Sequence, residues 1–152
     1  MKTLPSNRRA RGVVALEAAM TLILVAVIVP ALVVLGNVLR QHLVLETVAH
    51  QSARQLATMP RLHMSKNLAY QEAELRIRTQ AMAALAAGGL DTAAVSYQVD
   101  CEVFCGSPSL PQQVKVRLAA TAQVGALGPA VAWLISAQGM VLHAEAVLRY
   151  EN

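Results

Sequence analysis

The chain has 152 residues, 55% of them hydrophobic and 14% charged, with a formal net charge of +4. That length predicts one domain, and the low charge makes the chain apolar for a soluble protein of its size. The positive charge is local: Lys2, Arg8, Arg9 and Arg11 precede Val13, and the other nine basic residues balance nine acids. The basic balance therefore belongs to the leader and gives no argument for nucleic-acid binding, and one Phe, one Trp and three Tyr offer bases little to stack on, so no nucleic-acid partner is expected.

Residues 1–12 read as a basic, polar leader outside any folded element. Val13 to Gly36 reads VVALEAAMTLILVAVIVPALVVLG, 24 residues in which Glu17 is the single ionisable side chain. A helix needs about 20 apolar residues to span a bilayer, so residues 13–36 are expected as a transmembrane helix. Basic residues before the span place the N-terminus in the cytoplasm and export the rest. A cleaved secretory signal is the competing reading. Its apolar core is shorter, about 7–15 residues, and no convincing small-x-small site follows here. Glu17 is the anomaly. A carboxylate at the centre of a span costs about 2.5–3.5 kcal/mol, and such residues mark function. Pro30 removes one backbone hydrogen bond and is expected to kink the span.

The helical pattern continues without glycine or proline through residues 37–58, a stalk helix with Leu45, Ala49, Ser52, Ala53 and Leu56 on one small-residue face. Met59-Pro60 ends it, because the residue before a proline is pushed out of helical geometry. A continuous helix from Val13 to Thr58 would be about 69 Å long, half of it projecting from the membrane. Pro60 to Ser65 reads as a linker. Asn67 to Ala87 reads as an amphipathic helix with Tyr70, Ala73, Ile77, Ala81 and Leu85 inward, stopped by Gly88-Gly89.

After the glycines the period becomes two. Val95–Val103, Val114–Val124 and Met140–Tyr150 each alternate apolar with polar residues, the pattern of half-buried strands. Gly106, Ser107, Pro108 and Pro111 supply a long hairpin loop between the first two. Gly125–Gly139 is uncharged and broken by Gly and Pro. It reads as a surface loop with a short helix around Trp133, the alternative being a second membrane segment. Together these elements predict an α+β chain: a transmembrane helix extended as a stalk, then a 61–152 periplasmic domain with a second helix and a three-stranded antiparallel sheet.

Chemistry is sparse. Cys101 and Cys105 are the only cysteines, too few for a closed zinc site, and no histidine stands near them in sequence. In an exported domain they read as a disulfide, the alternative being two free thiols at the hairpin tip. Four residues of extended strand hold Cα atoms about 13 Å apart and a disulfide needs about 4.4–6.8 Å, so a bridge requires the chain to turn at Glu102–Phe104. His42, His50, His63 and His143 are scattered. No metalloprotease helix, phosphate loop, redox pair or nucleophile elbow is present, so neither an enzyme nor a cofactor or metal site is expected.

The leader and span carry the specific signal. Arg8, Arg9 and Arg11, then Gly12 at the membrane border and Glu17 five residues beyond, resemble the class III signal of type IV prepilins and pseudopilins. The resemblance implies cleavage by a prepilin peptidase between Gly12 and Val13. It also implies that Glu17 pairs with a neighbouring subunit's N-terminal amine during assembly. The RG-VVALE start, one span and an end through Leu148, Arg149, Tyr150 and Glu151 resemble more narrowly the TadE-like pseudopilins of tight-adherence (Flp) pilus systems. That family implies a pilin-like inner-membrane subunit with a structural role in fibre initiation or assembly. Its partners would be other pilin subunits, the peptidase and the assembly platform. An unprocessed single-span sensor or scaffold, whose periplasmic domain binds a ligand or partner, is the alternative, and a minor pseudopilin of a related secretion machine is a third.

Overall fold

The computed structural model describes residues 8–123 and 140–151, the backbone alone for 8–13. The expected Gly125–Gly139 loop, Trp133 included, lies outside the described residues. The chain is α+β: one 50-residue helix, α1 (Arg8–Ala57), a single turn α2 (Arg61–Met64), α3 (Asn67–Ala87), a 3₁₀ turn (Thr92–Ala94) and three strands. The strands are β1 (Val95–Cys101), β2 (Gln113–Thr121) and β3 (Val141–Arg149), paired antiparallel in the order β1-β2-β3.

α1 begins at Arg8, so the end of the basic leader is helical, where the sequence reading put no element. Arginine and alanine are good helix formers, and nothing between Arg8 and Arg11 breaks the ladder. Pro30 sits inside α1 without ending it. The two halves of α1 differ in surroundings. Most of the large side chains from Val14 to Leu35 are exposed, whereas Leu45, Ala49, Ala53 and Leu56 are fully buried. The segment read as a stalk is therefore the spine of the folded domain. It lies across β2 and β3, with α3 beside it.

Small residues on both partners let this helix approach the sheet closely. Ala49, Ser52 and Ala53 of α1 are buried, as are Ala144 and Ala146 of β3. β2 supplies the larger inward side chains, Val114, Val116 and Leu118, all buried. Register aligns the inward set: Val116 stands opposite Val99 and Ala146, and Leu118 opposite Tyr97 and Ala144. The segment 60–65, read as a linker, contains the turn α2, which buries Met64 completely. Four residues are too few to leave a periodic signal.

Each strand is shorter than its alternating pattern, but hydrogen bonds run one step past the ends. The Glu102 amide donates to the Gln113 carbonyl at 3.4 Å, Ala122 to Met140 at 2.7 Å and Tyr150 to Gln112 at 2.9 Å. α3 closes on a Schellman motif. The Leu90 amide donates to the Leu85 carbonyl at 3.1 Å and the Gly89 amide to Ala86 at 3.0 Å, with Gly89 at φ 83°. Leu85 and Leu90 are both buried, the apolar contact that accompanies this cap.

Candidate functional site

Glu17 is exposed on the apolar half of α1. Its neighbours Val14, Leu16 and Met20 are 65%, 62% and 66% exposed. The Thr21 hydroxyl donates to the backbone carbonyls of Glu17 and Ala18, at 3.0 and 2.9 Å, so it serves the helix and not the carboxylate. Among the described residues Glu17 makes no ion pair. Gly12 and Val13 have helical backbone within the early turns of α1. Residues Val14–Ala57 contain a stretch long and apolar enough to cross a membrane by length and composition.

The far end of the domain is organised by Cys101 and Cys105, which form a disulfide with Cα atoms 5.5 Å apart. β1 stops at Cys101 and the chain bends away. Gly106 follows at φ 75°, where a Cβ would lie 3.1 Å from the Asn67 Cα, so the loop runs close against the start of α3. Phe104, between the two cysteines, is 86% exposed.

Two tertiary ties and one buried phenol were not read from the sequence. Gln41 is buried on α1, and its side-chain amide pairs with the backbone of Gln123. Nε2 donates to the carbonyl at 2.8 Å, and Oε1 accepts from the amide at 2.9 Å. A single side chain thus extends the end of β2 as a strand would. Gln41 lies on the face that carries Leu45 and Val48, and a polar residue at a core position was the available signal. Tyr150 donates its hydroxyl to the Met59 carbonyl at 2.7 Å, and the Glu151 amide donates to Ala57 at 3.2 Å. The C-terminal tail thereby satisfies carbonyls that the end of α1 leaves open. Tyr97 is buried on β1, and the charges of Glu74 and Arg78 on α3 act on its phenol. Burial first, and the Glu74 carboxylate second, push its phenol up to about 12.

The sheet face away from the helices is polar. Arg117 reaches Asp100 and Glu145, each at 3.2 Å, and Lys115 pairs with Glu145. The hydrogen bond from Lys115, with Arg117 assisting, holds the Glu145 carboxyl below its usual range. Exposed pairs of this kind contribute about 0–1 kcal/mol and read as a solvated face. Among the described residues no cluster of three His, Cys, Asp or Glu could hold a metal ion. No protein-family model, no curated protein and no solved structure matches the chain.

Proposed function

We propose that the chain is a minor pilin or pseudopilin of a tight-adherence (Flp-type) pilus or a related secretion system. In this reading it is a bacterial inner-membrane subunit with a cytoplasmic N-terminus and a periplasmic domain. The observation that carries the reading is the division of α1. Its first half is apolar and largely exposed with one carboxylate, Glu17, and its second half is the buried spine of the domain. A subunit built this way moves its membrane anchor and its exported domain as one piece.

Cleavage between Gly12 and Val13 serves two physical purposes in this reading. It removes Lys2, Arg8, Arg9 and Arg11, each worth about 1 kcal/mol of attraction to the anionic cytoplasmic leaflet, and so loosens the subunit's hold on the membrane. It also creates the α-amine of Val13. A buried carboxylate is costly until it is paired, so Glu17 penalises the isolated subunit and favours the register in which a neighbour's amine meets it. Gly12 lowers helix stability by about 1 kcal/mol relative to alanine, which eases the local unwinding a peptidase needs.

The test is the N-terminal sequence of the membrane-purified protein, which should begin at Val13, combined with the Glu17→Ala variant. That variant should insert normally and fail to enter the fibre. A start at Met1 with intact fibres overturns processing, and normal assembly of Glu17→Ala overturns the pairing role.

A further inference from the structure

Phe104 is the chain's single phenylalanine and is 86% exposed, beside Val103 at 40%. It stands in the five-residue loop that the Cys101–Cys105 disulfide closes, and Gly106 seats that loop against Asn67 and Tyr70 of α3. The ring is therefore held out on a braced turn, so little freedom remains to be lost on binding. Residues 95–112 carry Asp100 and Glu102 and no basic side chain. Asp100 is taken by Arg117, whereas Glu102 is exposed and makes no ion pair among the described residues.

A pocket of about 290 Å³, room for one aromatic ring, lies at the same end of the domain, where α1 stops and α3 begins. Buried Met59 and Ile77 line it with half-buried Ala73, and exposed His63, Glu72 and Arg76 surround them. Among the described residues Arg76 makes no ion pair, with Glu72 or with any other acid. Residues 61–80 carry four basic side chains against two acids, so this face is positive where the loop is negative. The pocket lies on the Ala69, Ala73 and Arg76 side of α3. The loop rests on the Asn67 and Tyr70 side, roughly 120° round the helix at 100° per residue. No residue of the loop lines the chain's own pocket.

We infer that the Phe104 loop of one chain docks in this pocket of a second copy, with the ring over Met59 and Ile77 and the Glu102 carboxylate against Arg76. An aromatic anchor in an apolar pocket with a charged rim is the composition of a binding hot spot. Loop and pocket occupy different faces, so the contact is heterologous. Each copy offers one of each, and the pairing repeats from copy to copy instead of closing in a two-fold dimer. Both features lie at the end of the domain away from the apolar half of α1, so copies standing parallel in one membrane present them at the same level.

The inference rests on the pilin reading, which sets copies side by side, and the test separates the two. Phe104 of the full chain is replaced by the photoreactive benzoylphenylalanine and irradiated in membranes that also assemble the fibre, and the cross-linked peptides are mapped by mass spectrometry. The partner should be residues 59–80 of a second copy. Arg76→Glu should lower the cross-link about fivefold, and Glu102→Arg in the same chain should restore it, a rescue that misfolding would not produce. In otherwise native chains Phe104→Ala should reduce fibre yield more than about tenfold, the loss of an anchor residue. An intact Cys101–Cys105 disulfide shows that this variant folds. Cross-links to another protein, to other residues of a copy or to nothing overturn the inference, as does a charge reversal without effect or without rescue. A native chain absent from every fibre defeats the pilin reading, and fibres in which position 104 meets no second copy defeat this contact alone.

Discussion

Tyr150 binds distant parts of the sequence together through one hydrogen bond, and Tyr97 shows what burial does to a phenol. Tyr150→Phe keeps the ring and removes only the hydrogen bond to the Met59 carbonyl, which should cost about 1 kcal/mol in urea unfolding of the full chain in micelles. Tyr97 makes stability fall in alkali. Its folded-state value is raised to about 12 from an ordinary 10, so the folded state keeps a proton that the unfolded state releases. The contribution is complete below pH 10 and disappears as the pH rises to about 12. Unfolding midpoints measured across that range should drop, and Tyr97→Phe should lessen the drop, the remainder belonging to Tyr70, whose phenol burial raises further. Neither effect was legible in the sequence. Alternation places Tyr97 and Tyr150 on the inward face, but nothing local says that one is buried within the field of Glu74 and the other bonds a carbonyl 91 residues away.

Among the elements, those specified by local chemistry were readable and those specified by packing were not. The end of α3 follows from the stop at Gly88-Gly89, and the inward faces of β1, β2 and β3 follow from a period of two. The turn α2 and the helical end of the leader escaped, the first for its brevity and the second because its polar residues show no periodicity. Gly88 has a tertiary role beyond its cap. Gly88→Ala should destabilise the domain by about 1–3 kcal/mol, since a valine Cγ cannot easily turn aside, and Val44→Ala should restore part of the loss. A double-mutant cycle on unfolding midpoints reads the coupling. For the hairpin, closing a five-residue loop stabilises by roughly 2 kcal/mol in the chain-entropy model, so Cys101→Ser with Cys105→Ser should lower stability by that order. Urea titration of oxidised protein against the double variant measures it.

At the scale of the whole molecule, the uninterrupted α1 determines more than length. Because 3.6 residues make one turn, each residue advances a rigid helix by about 100° and 1.5 Å. Glu17 and the domain therefore share one angular phase, fixed by the count of residues between them. One alanine inserted between Leu35 and Gly36 would swing the domain through about 100° relative to Glu17 while leaving its core intact. Seven alanines would return it to within about 20° and lift it by about 10.5 Å. If Glu17 and the domain must face their neighbours together, assembly should fail with the single insertion and recover in part with seven, although the larger insertion adds the greater displacement. Fibre yield from the two variants would then report an azimuth, a clockwork setting of the subunit that no single contact encodes.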